Sequence, residues 1–346
     1  MKKRPPKKGT KVEKLQRLLL VDGNSLFKRS ITGAKDLYNS EGIHIGGLFQ
    51  FITTLRKIIN DEIYHKVIVF WDGKFSGKLR YDIYKDYKAN RNKDFIGGTE
   101  PVDVSEQYQK LRIKKYLETL FIDHYEDEVV EADDCIAYVC NNVSKYEITL
   151  VTSDKDLFQL LNDKVRIYYL KDKKYLNLDN INENLGYHYK NLSLLKIMCG
   201  DSSDNIKGIK SLGDKTLIKM FPEIKEKEID INSIIKKSEL LNNERISDNK
   251  KPLLSLVNIT KRITEGIQGE RIYDINKKLI DLSEPMITNN VKNDIKNLFN
   301  KKEIGEYDLK NIYELMKEDG IYFEIRKYDS NYILPFKQLI NRQKNN

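Results

Sequence analysis

Nine acidic residues spread over five segments are the groups in this sequence best suited to chemistry: Asp22; Asp72; Glu131, Asp133 and Asp134; Asp154 and Asp156; Asp201 and Asp204. Two bare carboxylates about 4 Å apart repel by roughly 4 kcal/mol at an effective dielectric near 20. Acids placed almost side by side, as at 131–134 and 154–156, are therefore costly unless a cation joins them. Carboxylate oxygens without accompanying Cys or His suit the hard ions Mg²⁺ or Mn²⁺, and Mg²⁺ keeps waters and shares its remaining positions with phosphate oxygens. Metal-assisted phosphate chemistry is the reaction class these residues point to. His44, His65, His124 and His188 are too scattered for a ligand cluster, and no Ser, Cys or His arrangement proposes a nucleophile.

The elements that must position these acids are legible around them. Apolar runs stop at a carboxylate in Leu18 to Asp22, Val67 to Asp72 and Ile148 to Asp154. Runs rich in Val, Ile and Leu without alternation read as strands buried on both faces of a parallel sheet, and ligands in such sheets sit beyond the strand C-terminal ends. An apolar stripe at helical spacing (Leu48, Phe51, Ile52, Leu55, Ile58, Ile59) predicts a helix from Gly46 to Glu62. Further helices are expected over Val104 to Leu120 and Glu131 to Asn142, and a strand over Val165 to Leu170. The alternation predicts an α/β fold, a Rossmann-like, mostly parallel central sheet flanked by helices, over residues 17–192. Beyond it the strand pattern fades into helices, with residues 223–346 expected as a C-terminal helical region.

The chain has 346 residues, a formal net charge of +9 and a pI of about 9.0. Because the candidate site is acidic, the positive excess lies elsewhere, which favours a polyanionic partner. Residues 1–16 read as a disordered basic tail. Three cysteines, Cys135, Cys140 and Cys199, show no CxxC spacing, so neither a disulfide framework nor a zinc site is indicated, and a reducing, cytoplasmic setting is expected. No apolar stretch reaches the roughly 18 residues of a membrane span. Residues 80–91 interleave Tyr81, Tyr84 and Tyr87 with Arg80, Lys85, Lys88 and Arg91, a surface suited to phosphates and unpaired bases.

In order along the chain, Asp22-Gly23-Asn24, Trp71-Asp72, Glu131-Ala132-Asp133-Asp134, Ser153-Asp154-Lys155-Asp156 and Gly200-Asp201-Ser202-Ser203-Asp204-Asn205 resemble the motifs of the 5′ nuclease superfamily, over residues 17–222. That superfamily includes flap endonucleases, the 5′-3′ exonuclease domain of bacterial DNA polymerase I and phage ribonuclease H enzymes. The resemblance implies a PIN-like fold and a two-metal phosphodiesterase whose products carry a 5′ phosphate. Asp22, Asp72, Glu131, Asp133 and Asp154 would hold or orient one Mg²⁺, and Asp134, Asp156, Asp201 and Asp204 the second, with Mn²⁺ able to substitute. Tyr87-Lys88-Ala89-Asn90-Arg91 resembles the signature at the base of a helical arch, placed here at about 77–120 with Gly97 and Gly98 at its tip. Lys88 and Arg91 would position the scissile phosphate, with Arg80, Tyr84 and Tyr87 beside them against nucleic acid. Lys110, Arg112, Lys114 and Lys115 would continue the basic lining.

Gly208 to Thr216 imitates a phosphate loop, but Asp214 interrupts the Gly-Lys pair and no buried strand precedes it. Over 193–222 the segment instead resembles the family's helix-three-turn-helix, implying that Lys207, Gly208, Lys210, Gly213, Lys215 and Thr216 hold duplex DNA, with K⁺ as an additional ion. Two departures stand out: Lys207 occupies a position where Pro is common, and Ser211 replaces a Gly. The substrates implied are DNA and RNA·DNA hybrids with 5′ ends, flaps or nicks, processed by a monomer in replication or repair, with a single-stranded DNA-binding protein as a partner of the C-terminal region. A catalytically inactive DNA structure-binding protein of the same fold, or a toxin-type RNA-cleaving nuclease with a related sheet, are the alternatives. The first would lose acidic motifs and the second would lack the arch and hairpin.

Overall fold

A computed structural model describes residues 15–89, 104–264, 266–267, 270–300, 309–328 and 331–344. The expected basic tail therefore lies outside the described residues up to residue 14, and Gln16 already opens the first strand. Arg91 and the Gly97-Gly98 tip also lie outside them.

The chain runs β1 (Gln16–Asp22), α1 (Gly23–Thr32), α2 (Gly46–Asp61), β2 (Lys66–Asp72), α3 (Lys78–Ile83), α4 (Val104–Thr119), β3 (Asp123–Asp127), α5 (Ala132–Asn142), β4 (Tyr146–Thr152), β5 (Val165–Tyr169) and β6 (Lys174–Leu176). These six strands form one sheet in the order β3-β2-β1-β4-β5-β6, parallel except for the antiparallel edge strand β6. The chain leaves β1 toward β2 and β3, then crosses back to place β4 on the other side of β1. The strand order thus reverses between β1 and β4, where open α/β sheets form a crevice at their carboxyl ends. Leu18, Leu19, Leu20 and Val21 are fully buried, as an apolar run in a central strand requires.

The two edge strands carried no apolar run. β3 (DHYED) is polar and β6 (KYL) is short and opens on a charge, both compatible with sheet edges, where charged side chains discourage pairing with another chain. Helix α2 buries the expected stripe against β1 and β2, and Trp71 stacks on Phe51 with ring centroids 5.6 Å apart.

Beyond the sheet come α6 (Ile181–Leu185), α7 (Leu192–Cys199), a two-stranded hairpin of β7 (Gly200–Asp201) and β8 (Ile206–Lys207), α8 (Asp214–Met220), α9 (Ile231–Ser247) and α10 (Leu254–Thr264). α11 (Ile272–Ile280), α12 (Asn289–Asn300), α13 (Leu309–Glu318), α14 (Tyr322–Tyr328) and α15 (Leu334–Lys344) follow. These helices spread over several supports. α9 and α10 share a core with α7 and α8, α11 rests on α7, α12 on α5 and β3, and α13 to α15 cover α2 and α4. Fully buried Asp319 ties the last group down by accepting from Arg112 Nε on α4 and from Tyr108 Oη at 3.1 Å. Arg112 is thus a structural tie to the C-terminal helices and not part of a basic lining.

Ser211 has φ 66°, the left-handed region that costs a residue with a Cβ roughly 1–2 kcal/mol. Part of that cost returns through the greater chain entropy of glycine. Ser211→Gly is expected to raise stability by roughly 0.5 kcal/mol, read as a higher thermal midpoint; a lower midpoint would contradict the strain.

Candidate active site

Asp22 closes β1 and caps α1, its Oδ1 accepting from Ser25 N at 2.9 Å and its Oδ2 from Thr152 Oγ1 at 2.8 Å across the switch point. Burial pushes its carboxyl up to about 6 against those hydrogen bonds, and the Asp72 charge adds to the rise. Asp72, ending β2, accepts from Ala132 N at 2.8 Å and so fixes the start of α5. That helix delivers Asp133 into the midst of the other acids. Burial first, then the charges of Asp22, Asp154, Asp72 and Glu131, hold the Asp133 carboxyl well above the ordinary carboxylate range. Four of the five acidic segments therefore bear on this one side chain.

Asp154 and Asp156 follow β4, and the Asp154 carboxylate accepts from Asp156 N at 2.9 Å. Lys196 Nζ bonds the Asp156 carboxylate and lies 2.7 Å from Asp201 Oδ2. Asp156 rises to about 6 through burial and the Asp154 charge, which outweigh Lys196. Asp201 falls to about 2, because hydrogen bonds from Lys196 and Ser203 overcome its burial. Lys196 was not among the expected residues. It is the only charged residue in the otherwise apolar helix LSLLKIMC, and a lone ammonium in such a helix is a signal that an acidic partner faces it.

A second group sits at the base of the expected arch. Glu131 accepts from Arg80 Nη1 at 2.6 Å, from Tyr87 Oη at 3.0 Å and from Lys88 Nζ. Burial acts upward on its carboxyl, yet Arg80 and Lys88 bring it down to about 2. Lys88 has φ 53° and donates its backbone N–H to Asp204 O at 2.8 Å. Burial works against the Lys88 charge, but Glu131 and Asp204 keep the ammonium protonated above its ordinary value. Asp204 Oδ2 also accepts from Tyr87 Oη at 3.3 Å. Lys88, Glu131, Asp133, Asp154, Asp156, Asp201 and Asp204 line one cleft, whose floor includes Leu279, Ile280 and Leu282.

Three expectations need correcting. Asp134 is not available as a metal ligand: it is 1% exposed, takes the Arg80 fork through Nη1 and through Nη2 at 3.0 Å, and accepts from Met286 N at 2.9 Å. Arg80, 4% exposed, is correspondingly no nucleic-acid contact; its Nε donates to Leu279 O at 2.8 Å. Burial opposes its charge, but Asp134 and Glu131 hold the guanidinium protonated. Tyr87 is buried in a small core and cannot stack on a base. Tyr84, partly buried, packs against the same core.

The donor set is suited to a hard cation, because every candidate ligand is a carboxylate and Asp133 concentrates negative charge that its own surroundings do not neutralise. Asn24 Nδ2, two residues past Asp22, is buried with no hydrogen-bond partner among the described residues, a donor suited to a water or phosphate oxygen. Among the described residues no three of these acids close a ligand shell unaided. A hard cation held there would share its coordination with waters and substrate oxygens.

In the 200–216 segment, Gly200 and Gly208 bring two backbones together: a Cβ on Gly200 would meet Gly208 N at 2.3 Å, and one on Gly208 would meet Cys199 C at 2.1 Å. Lys207, Lys210, Gly213, Lys215 and Thr216 are exposed around this turn. Lys110 and Lys114 lie over the Trp71 ring, 5.4 and 5.9 Å from its centroid, and Lys110 Nζ donates to Asp72 O at 3.2 Å.

Residues 17–186 match the family model of the 5′-3′ exonuclease N-terminal resolvase-like domain. The chain is 32% identical over 226 residues to DNA polymerase I of Bacillus subtilis and 33% identical over 229 residues to that of Lactococcus lactis. These alignments take in 63% and 61% of this chain and 24% of each polymerase, so the chain spans about a quarter of the length of those relatives. Among solved structures it is similar to a T5 5′-exonuclease with bound divalent zinc ions (TM-score 0.62, 20% identity, 82% of this chain and 99% of that one). It is also similar to the catalytic core of Rad2 in complex with a DNA substrate (TM-score 0.51, 15% identity, 93% of each chain). Likeness at those identities speaks for the fold, a mostly parallel PIN-like sheet flanked by helices. On the family match and the polymerase relatives, residues 17–186 of this chain belong to the 5′ nuclease superfamily.

Proposed function

We propose that this chain hydrolyses phosphodiester bonds near the 5′ ends of DNA, as a divalent-metal-dependent 5′-3′ exonuclease and flap endonuclease with ribonuclease H-type activity on RNA·DNA duplexes. The observation that carries the reading is the convergence of acids around Asp133 at the sheet's switch point, with the charged Lys88 lining the same cleft.

Asp22, Asp72, Asp133 and Asp154 would hold one ion, with Glu131 orienting it from its bonds to Arg80 and Lys88, and Asp156, Asp201 and Asp204 would hold the second, with Lys196 bridging Asp156 and Asp201. Two bound divalent cations would supply a lowered water pKa and charge stabilisation at the attacking and leaving oxygens. The chain's own residues do the positioning. Lys88 bonds Glu131 through its ammonium and donates its backbone N–H to Asp204 O, and in that place it orients the scissile phosphate and offsets its growing charge. Arg80 neutralises Asp134 and shares Glu131, which keeps the Lys88 mooring fixed. Exposed Lys207, Lys210 and Lys215 hold the duplex phosphates behind the cut.

Alanine at Lys210 and Lys215 is expected to weaken duplex binding and lower the slope of log K against log salt by about 0.9 per lysine; an unchanged slope in the double variant would remove both from the interface. The reading as a whole is tested with 5′-labelled flap, nicked, blunt and RNA·DNA substrates in Mg²⁺ and in chelator. Cleavage confined to the Mg²⁺ arm, with 5′-phosphate products, is expected. Tight binding without cleavage in Mg²⁺ would favour the inactive structure-binding alternative.

A further inference from the structure

The turn that presents Lys88 is also tied to the duplex-holding segment, through Asn205 and Asn276. On one side, Asn205 Nδ2 donates to Asp86 O at 2.7 Å, and Lys88 N donates to Asp204 O at 2.8 Å, so the tip of the β7–β8 hairpin is fastened to residues 86–88. Asn205 keeps φ 57° to make this reach. On the other side, Asn276 of α11, 4% exposed, donates through one amide nitrogen to Ile197 O at 2.9 Å and to Lys207 O at 3.0 Å. It thereby locks the end of α7 to the root of the hairpin. One turn further along α11, Leu279 O receives Arg80 Nε, whose other nitrogens hold Glu131 and Asp134. Tyr87, Ile197, Ile206, Ile275 and Leu279 fill the space between these bonds as a separate small core.

Given the hydrolytic reading above, on which this step rests, we propose that Asn205 and Asn276 are positioning residues that set where the cut falls, by fixing the span between the duplex-holding turn at 208–216 and Lys88. Buried amide bonds to two carbonyls and a packed core make that span rigid, and a rigid span between grip and cleft selects one phosphodiester. With either tie cut, the duplex is still gripped and the acids still gather, but neighbouring phosphodiesters compete for the cleft.

On a 5′-labelled flap with Mg²⁺, Asn205→Gly and Asn276→Ala are expected to lower the ratio of the main product to its one-nucleotide neighbours by about fivefold, the worth of one hydrogen bond of ordinary strength. Asn205→Gly retains the left-handed turn, so its thermal midpoint and duplex Kd should stay at the parent values. A second readout does not depend on cleavage. Amide hydrogen exchange across residues 84–89 should speed up about threefold to tenfold in Asn276→Ala, although that side chain bonds Ile197 and Lys207 and not the turn. Unchanged product lengths in both variants, or unchanged exchange at 84–89 in Asn276→Ala, would overturn the inference. A parent chain that cuts none of the substrates would overturn the hydrolytic reading instead, and the exchange result would still decide the tie.

Discussion

Asp133→Asn is expected to cut the rate of cleavage by roughly 10²–10³-fold, the loss of several kcal/mol of charge stabilisation that a misplaced cation entails, while duplex binding through the 208–216 turn stays close to the parent value. The same substitution should raise the thermal midpoint of the metal-free chain, because folding no longer has to hold a buried carboxyl protonated, or crowd its charge, beside four other acids. The sign of the pH dependence separates this from a packing effect. Asp22 and Asp156 have folded-state values of about 6 against 3.8 in the unfolded chain. A carboxyl raised in this way contributes stability fully below the unfolded value and loses it as pH rises through the folded one. Glu131 and Asp201, held at about 2, contribute stability above their unfolded values of 4.5 and 3.8 and lose it as pH falls through about 2. The metal-free chain should therefore be most stable near pH 4 and lose stability as pH rises to about 6. The gain from Asp133→Asn should be largest above about pH 6 and small near pH 4. Thermal melts across pH measure it, and near-parent turnover by the variant in Mg²⁺ would contradict the assigned role.

Arg80→Ala should destabilise the fold by about 3–5 kcal/mol, the range for breaking a buried ion pair and leaving its acids uncompensated. Asp134 would keep only the Met286 N bond, and Glu131 would depend on Lys88 and Tyr87. Arg80→Lys retains the charge but not the fork that reaches Leu279 O, Glu131 and Asp134 together, so it should recover only part of the loss. Urea unfolding of the three proteins measures this. A loss below about 1 kcal/mol in Arg80→Ala would mean that the buried acids are not charged as described.

The site was legible where chemistry and strand ends coincide. Asp22, Asp72 and Asp154 follow apolar runs that can only be buried strands, so their convergence is readable from sequence. Asp134 misled because its type and spacing match a ligand equally well; only the fold reveals that Arg80, more than fifty positions away, occupies it. Arg80 misled in the converse way, since a basic residue among tyrosines suits phosphate until its partners are buried beside it. Lys196 and Asn276 were missed because their meaning lies in contacts across the chain, Lys196 with Asp156 and Asn276 with Ile197 and Lys207. β3 was missed for another reason: an edge strand can be polar, and its sequence carries no hydrophobic period. Helix α4 was expected over Val104 to Leu120, and its buried Gln109, Ile113, Tyr116 and Leu117 share one face. Its Ile113 and Leu117 are buried while Arg112 and Lys110 serve polar contacts on different flanks.

The most direct test of a cation-filled acidic cleft is to count bound Mn²⁺ by electron paramagnetic resonance, with the chain held on a flap DNA whose scissile linkage resists hydrolysis. Two ions per parent chain are expected, with at least one lost in Asp133→Asn and both displaced by chelator. Parent protein on the same DNA that takes up no Mn²⁺ would contradict the site.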